Sequence, residues 1–90
     1  MYYVYVLQSQ KDKSLYIGST SNLKKRFKEH NLGKSRYTNQ HRPYKIICYI
    51  ALPLRSDAER FETYLKSGYG RRVLKNMLND YFERDTQLGD

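Results

Sequence analysis

Apolar runs at the start of the chain, separated by a polar stretch, predict β-strands. Residues Tyr2 to Leu7 and Leu15 to Gly18 are short runs of β-branched and aromatic side chains, and the polar stretch that joins them predicts a hairpin. Tyr44 to Leu52 is a third and more apolar run, which we expect to form the central strand. The pattern therefore predicts a small antiparallel sheet.

A helical period replaces these runs after residue 20. Thr20, Ser21 and Asn22 offer capping side chains. One face of a helix follows at positions i, i+3, i+4 and i+7, namely Leu23, Arg26, Phe27 and His30. Gly33 supplies a stop signal, and the polar, basic segment 33–43 predicts a surface loop because it is bounded by Gly and Pro.

Two further helices are predicted in the second half of the chain. Ser56 and Glu59 have the spacing of a capping box. The helix that they begin has an apolar stripe formed by Ala58, Phe61 and Leu65. Gly68 and Gly70 are expected to end it. A third helix is indicated by the apolar positions Val73, Leu74, Met77, Leu78 and Tyr81.

These elements define an α+β fold class, with a three-stranded antiparallel β-sheet flanked by about three α-helices. A chain of 90 residues supports one domain. We expect it to span residues 1–82, followed at residues 83–90 by an acidic, flexible tail.

Cysteine usage and hydropathy exclude several classes of protein. Cys48 is the only cysteine, so no intramolecular disulfide forms, and no cluster of Cys and His has the spacing of a zinc site. The longest apolar run is too short to cross a bilayer, and the N-terminus lacks the pattern of a signal peptide. We therefore expect a cytoplasmic protein with no membrane partner.

The net charge of +8 indicates a polyanionic partner, with nucleic acid as the first candidate. Residues 1–56 carry eleven basic and two acidic side chains, whereas residues 57–90 carry six and seven. A solvated helix face explains any single one of these cations, but their density favours phosphate contact. The predicted nucleic-acid-binding residues are Lys24, Lys25, Lys34, Arg36, Tyr37, Thr38, His41 and Arg42.

Two candidate functional residues lie at the edge of the predicted core. Arg26 shares the helical stripe of Leu23 and Phe27, where an arginine usually has a partner. Glu62 borders the apolar stripe of the second helix, where an acid is expected to be paired or to bind a metal. Lys66 follows at i+4, so an ordinary helix ion pair is the competing interpretation.

Tyrosines on the predicted hairpin are the remaining candidates. Tyr3 and Tyr5 lie on one face of the first strand, and Tyr16 lies on the second, so two hydroxyls are able to converge across the hairpin. Core packing is the alternative explanation for each tyrosine taken alone.

Taken together, these residues resemble the GIY-YIG nuclease family, in particular small single-domain members similar to the UvrC nuclease module. Val4-Tyr5 corresponds to the end of the first motif, with Tyr3 in place of its Gly, and Tyr16-Ile17-Gly18 matches the second motif. The spacings from Tyr16 to Arg26 and on to His30, and the pattern Ala58-x-x-x-Glu62-x-x-x-Lys66, are also similar to the family pattern.

The resemblance implies a metal-dependent endonuclease that hydrolyses DNA phosphodiester bonds with low intrinsic sequence specificity, in DNA repair, recombination or processing. It implies one divalent cation, Mg²⁺ or Mn²⁺, held by Glu62. The implied catalytic residues are Tyr5, Tyr16, Arg26, His30 and Glu62, with Lys66 and Asn76 as weaker matches. Tyr5 is the expected general base, which requires nearby positive charge to lower its pKa, and Tyr16 is the other candidate.

Two other interpretations remain open. The same fold and charge would suit a nucleic-acid-binding module without catalysis, and a small basic structural or assembly protein would use the tyrosines as core. DNA is the expected partner and RNA is the alternative, and a further candidate partner is a protein that provides substrate specificity.

Overall fold

A computed structural model describes the backbone of residues 1–89 and the side chains of residues 1–85. The strands are β1 (Tyr2–Ser9), β2 (Leu15–Thr20) and β3 (Tyr44–Leu52). The helices are α1 (Leu23–Asn31), α2 (Arg36–Asn39), α3 (Arg55–Lys66), α4 (Gly68–Met77) and α5 (Asn79–Gly89). Within these residues no helix has both the length and the apolar character needed to cross a membrane.

The three strands form one antiparallel sheet in the order β2-β1-β3, which confirms the predicted α+β class. The expectation that the third apolar run is central is wrong, because β1 lies in the middle and β3 is an edge. The burial pattern gives the physical reason: β1 is buried continuously from Val4 to Ser9, whereas Tyr49 of β3 is 56% exposed. An overall apolar composition did not distinguish a strand buried on both faces from one half-buried at an edge.

The sheet separates two cores because successive side chains of a strand point to opposite faces. Val4, Val6 and Ile17 pack with apolar residues of α3 and α4 on one face. The other face packs against α1 and contains the residues Tyr5, Leu7 and Tyr44, together with Tyr16, Leu23, Phe27 and Ile46. Residues that are adjacent on β2 therefore belong to different layers of the protein.

The predicted start of the second helix is wrong. Helix α3 begins at Arg55, and its N-cap residue, Leu54, provides no side-chain hydrogen bond. Ser56 and Glu59 lie inside the helix, where the Glu59 carboxylate accepts from Arg55 Nε at 2.7 Å. A competing i,i+4 ion pair therefore replaces the predicted capping box.

Ser67, rather than Gly68 or Gly70, separates α3 from α4. Its hydroxyl donates to the Tyr64 carbonyl at the end of α3 and accepts from the Gly70 N–H at the start of α4. Gly70 is needed for close packing of the two helices, because a Cβ there would overlap the carbonyl of Tyr64. The two glycines thus begin a helix instead of ending one.

The predicted third helix is two helices. α4 ends at Met77, where the N–H of Leu78 closes the last turn on the Leu74 carbonyl, and Tyr81 belongs to α5. Helix α5 runs through residue 82, which is the predicted end of the domain. That boundary remains a prediction, and the tail side chains 86–90 lie outside the described residues.

The segment 33–43 is only partly the surface loop expected from its polar sequence. It contains the short helix α2, and a buried serine of β1 anchors the segment that follows it. Ser9 Oγ donates to the His41 carbonyl at 2.5 Å and accepts from the N–H groups of Lys11 and Asp12. These hydrogen bonds attach the segment to the β1–β2 hairpin. They therefore hold α2 beside the sheet.

Candidate active site

Tyr5 lies at the centre of the site because the opposite residue on β2 is a glycine. Tyr5 is paired with Gly18 in the strand register and is 1% exposed. A Cβ at Gly18 would lie 2.5 Å from the Tyr5 hydroxyl oxygen and 2.7 Å from its Cζ. The absence of a side chain at Gly18 therefore lets the phenol lie across β2 toward the open edge of the sheet.

His30, in the last turn of α1, is a buried partner of Tyr5. Its Nε2 lies 2.9 Å from the Tyr5 hydroxyl oxygen, and its Nδ1 lies 2.8 Å from Thr38 Oγ1. Burial, together with the charge of Arg26, lowers the pKa of His30 from 6.5 to about 4. The imidazole is therefore neutral near pH 7, with one ring nitrogen as donor and the other as acceptor.

Thr38 does not have the role that its basic surroundings indicated. It was predicted to contact nucleic acid, but its side chain lies on the inner face of α2, fully buried and hydrogen-bonded to His30. A side chain without exposed surface cannot reach a phosphate. Thr38 instead fixes the orientation of the imidazole that contacts Tyr5.

The pKa of the Tyr5 hydroxyl is shifted in the direction opposite to our expectation. Burial, reinforced by the neighbouring Tyr16, raises it from 10.0 to about 12. The Arg26 guanidinium lowers this pKa without offsetting the rise, and Glu62 also raises it. Tyr5 is consequently a protonated phenol at neutral pH in the protein as described.

Arg26 and Glu62 act on Tyr5 from different parts of the fold. Arg26 extends from α1, with 35% of its side chain exposed, and its Nη1 lies 3.3 Å from Glu29 Oε1. Glu62 extends from α3 on the far side of the sheet, with 22% of its side chain exposed. Both charges influence the pKa of Tyr5, the arginine lowering it and the glutamate raising it.

Two donors hold the Glu62 carboxylate. Ser19 Oγ donates to Oε1 at 2.6 Å, and Lys66 Nζ donates to Oε2 at 2.7 Å. The i,i+4 ion pair considered from the sequence is therefore present. Ser19 was missed, although the two-residue period of β2 places it with Ile17 on the face that α3 covers.

Aromatic rings continue the site along the edge of β2. The ring of Tyr16 lies 4.8 Å from that of His30 and 5.7 Å from that of Tyr37, measured between centroids. Tyr37, on α2, is 65% exposed. The aromatic cluster therefore extends from the buried rings of Tyr5 and His30 to the exposed ring of Tyr37.

The residues at Glu62 fit a weakly held divalent cation. Among the described side chains, no group of three or more Asp, Glu, His or Cys residues is arranged to hold a metal. Mg²⁺ commonly uses one or two carboxylates and completes its shell with water and substrate phosphate. A single half-buried carboxylate matches that requirement better than it matches a permanent structural metal site.

The remaining predicted residues surround the site without entering it. Exposed side chains form a basic surface on α1 and the following segment, namely Lys24, Lys25, Lys34, Arg36 and Arg42. His41 is partly exposed, and its Nδ1 lies 2.6 Å from Asp12 Oδ2. Asn76 is exposed on α4, and no hydrogen bond joins it to the site within the described part of the chain.

This fold and site define a class of small α+β domain in which tyrosine, arginine and glutamate meet at the edge of a three-stranded sheet. The family model described as the GIY-YIG catalytic domain matches residues 1–77. The chain therefore belongs to the GIY-YIG family, a family of nucleases.

Several known proteins resemble the chain over most of its length. A UPF0213 protein of Clostridium perfringens is 42% identical, with 98% of this chain and 100% of that protein covered. The solution structure of a UPF0213 protein from Bacillus halodurans shows 32% identity and a TM-score of 0.56, covering 98% of this chain and 97% of that chain. The structure-specific endonuclease subunit SLX1 of Debaryomyces hansenii is 36% identical over 94% of this chain but only 27% of that protein.

Proposed function

We propose that the protein is a metal-dependent endonuclease that hydrolyses DNA phosphodiester bonds with low intrinsic sequence specificity. The observation that carries this proposal is that the buried Tyr5 hydroxyl, hydrogen-bonded to His30 Nε2 at 2.9 Å, lies within the electrostatic influence of both Arg26 and Glu62. Hydrolysis of a phosphodiester needs an oriented water, neutralisation of charge on the phosphoryl oxygens and stabilisation of the leaving oxygen. The site contains a group suited to each requirement.

Arg26 would bind the nonbridging oxygens of the scissile phosphate. Its planar guanidinium provides two parallel donors, a geometry that Lys does not match. The contact with Glu29 holds the guanidinium at the mouth of the site, and its partial exposure leaves it open to a substrate. Arg26 therefore both positions the phosphate and stabilises the charge that grows on it.

Glu62 would hold the cation, Mg²⁺ or Mn²⁺, which when bound would stabilise negative charge on the leaving oxygen. Ser19 orients the carboxylate through Oε1. Lys66 occupies Oε2 and would have to move aside or share that oxygen when a cation binds. Occupation by Lys66 supports a cation that binds together with substrate rather than in the free protein.

Tyr5 would act as general base only once its pKa falls, because a phenol with a pKa of about 12 carries almost no phenolate at neutral pH. Arg26 lowers this pKa, and the rise that Glu62 contributes would be cancelled when that carboxylate holds a cation. His30 Nε2, 2.9 Å from the Tyr5 oxygen, would accept the hydrogen bond of the phenol and orient it without taking its proton, since the pKa of His30 is itself lowered to about 4. Thr38 would accept from the Nδ1–H that this tautomer requires. Tyr16, half-exposed beside His30, would orient the water.

The substrate class and the partners are further proposals. The D. hansenii relative is named as a subunit of a structure-specific endonuclease. We propose that this chain likewise selects DNA by its structure, with RNA as an alternative substrate, and that a partner protein adds specificity in repair, recombination or DNA processing. The exposed basic surface on α1 supports phosphate binding without base recognition.

The test is a cleavage assay with single-stranded, duplex and branched DNA, and with RNA, in Mg²⁺, Mn²⁺ or EDTA. Glu62→Ala should abolish cleavage while leaving binding largely intact. Glu59→Gln is the matched control because Glu59 lies on the same helix, is 56% exposed and pairs with Arg55. Cleavage that persists in Glu62→Ala would contradict the metal assignment.

A second pair of variants separates the effect of Arg26 on the chemical step from the effect of removing one positive charge. Arg26→Ala should slow cleavage by about a hundredfold or more, as loss of a transition-state donor does. Lys28→Ala removes the same charge from an exposed position of α1 and should leave the rate near that of the wild type. Binding without cleavage by the wild-type protein would favour a non-catalytic recognition module, and equal losses in both variants would show that Arg26 contributes only to binding.

A further inference from the structure

A groove of about 1000 Å³ begins beside Tyr16 and runs along the β1–β2 hairpin toward the C-terminal helices. Tyr37 joins the groove to the candidate active site, because its ring lies 5.7 Å from that of Tyr16. Leu15, which precedes Tyr16 on β2, faces the opposite layer and lines the groove there. α4 and α5 form the opposite wall. The groove is therefore continuous with the candidate active site, although none of the predicted site residues except Tyr37 lines it.

The charge of the groove comes mainly from one helix. Arg71 and Lys75 are exposed, lie one turn apart on α4 and line the same wall, with Asn79 a further turn along. No ion pair engages Arg71 or Lys75 within the described side chains. Lys13 also lines the groove but is paired with Asp85 at 2.9 Å, and Glu83 is the one acidic residue of the lining among the side chains that the structure describes.

These two cations were not among the predicted nucleic-acid-binding residues. Charge counted along the sequence makes residues 57–90 slightly acidic, so the basic surface was assigned to α1 and the segment after it. The fold changes that assignment because it brings α4 to the same edge of the sheet as Tyr16. Basic side chains therefore lie on two sides of the candidate active site.

The floor and walls of the groove are partly apolar. Leu15 and Phe82 are half-buried, and the exposed ring of Tyr37 stands at the end nearest the site. Duplex DNA presents phosphates outward and keeps its bases stacked inside. A cationic groove with an exposed ring instead suits a single strand, whose backbone follows the cations while its bases contact aromatic and apolar surface.

We propose that this groove binds the single-stranded segment of a nucleic-acid substrate that leads away from the scissile phosphate. Arg71 and Lys75 contact its phosphates, and Tyr37 stacks on the base nearest the cut. The inference rests on the proposed nuclease function, which places the scissile phosphate beside Tyr5 and Tyr16. It makes junctions between duplex and single strand the preferred substrate class.

The test measures equilibrium binding by fluorescence anisotropy, in EDTA and over a range of salt, with labelled oligothymidylate, oligouridylate and blunt duplex DNA. Arg71→Ala and Lys75→Ala should each lower the salt slope of single-strand binding by about 0.7. Tyr37→Ala should weaken single-strand binding by about tenfold or more through lost stacking. Arg72→Ala is the matched control, since Arg72 adjoins Arg71, does not line the groove and lies over the Tyr69 ring at 5.9 Å.

The outcomes separate this proposal from the proposed function. A selective loss of single-strand binding in the groove variants supports the proposal, and the oligouridylate arm shows whether RNA enters the groove as well. The proposal is overturned if the groove variants lose no more single-strand affinity than Arg72→Ala. It is also overturned if they lose as much affinity for blunt duplex DNA as for single strands. Because the binding measurements are made in EDTA, without metal, their result does not depend on whether Glu62→Ala abolishes cleavage.

Discussion

The buried His30 imidazole should make the protein less stable in mild acid. His30 is 0% exposed and its pKa falls from 6.5 to about 4 on folding. Between those two values the unfolded chain binds a proton that the folded protein does not bind. The free energy of unfolding must therefore decrease as pH falls below 6.5, and the decrease ends only when pH falls below the folded pKa.

The magnitude follows from the two pKa values. Above pH 7 the imidazole is neutral in both states and contributes no pH dependence. At pH 5 it is mostly protonated in the unfolded chain and mostly neutral in the folded protein. Each pKa unit between the two states is worth about 1.4 kcal/mol, so lowering the pH from 7.5 to 5 should cost about 2 kcal/mol of stability from this residue alone. A change of one unit in the folded pKa alters that figure by only a few tenths of a kcal/mol.

Urea unfolding of the wild type and of His30→Gln, at pH 7.5 and at pH 5, isolates this effect. Glutamine provides a donor and an acceptor for Tyr5 and Thr38 but does not titrate. Carboxylates elsewhere, including Asp12, whose pKa is lowered by hydrogen bonds from Ser14, contribute equally to both proteins and cancel. The wild type should lose about 2 kcal/mol more than the variant.

Equal losses in the two proteins would refute the reasoning. If His30→Gln does not fold, the histidine can be followed directly in the wild type by NMR titration of its imidazole. The ring should remain neutral down to pH 5 and titrate near pH 4. A midpoint near 6.5 would show that burial does not exclude the charged form.

Two glycine substitutions test the close approaches that the fold requires. Gly18→Ala places a methyl group against the Tyr5 hydroxyl, so the phenol must move and cleavage should fall by about a hundredfold, measured against the wild type in the same assay. A wild-type rate would show that the position of Tyr5 is not critical. Gly70→Ala should reduce the free energy of unfolding by about 2 kcal/mol or more, because backbone atoms of α3 block the new Cβ. Gly68→Ala is its control: nothing lies within 4 Å of that Cβ, so urea unfolding should show unchanged or slightly increased stability, and equal effects at the two positions would contradict the packing argument.

Local sequence patterns predicted the elements better than their boundaries. Apolar and aromatic runs bounded by polar segments located all three strands, and the helical period located α1, because both patterns reflect which residues are buried. The start of α3 was misplaced, since the spacing of Ser56 and Glu59 does not reveal the competing pair between Glu59 and Arg55. The order of the strands in the sheet was also predicted wrongly, because it depends on which strand is covered by helices on both of its faces.

Site residues that belong to a spaced sequence motif could be predicted. Those whose role depends on a tertiary contact could not. Tyr5, Arg26 and Glu62 follow from the resemblance to the family motifs, and the structure brings their charges and hydroxyl together. Ser19 and the buried role of Thr38 depend on how α3 and α2 pack against the sheet. The raised pKa of Tyr5 has the same origin, since burial in the folded protein outweighs the neighbouring arginine.

The position of β2 at the edge of the sheet explains how groups from opposite layers form one site. Adjacent residues on a strand point to opposite faces, so Gly18 and Ser19 belong to different layers. Tyr5 lies across β2 at Gly18 from the α1 side, while Glu62 reaches Ser19 from the α3 side. In a central strand, a further strand would separate these groups from solvent and from each other. An edge strand with a glycine beside a serine instead lets a buried phenol and a metal-binding carboxylate meet a substrate at the same rim.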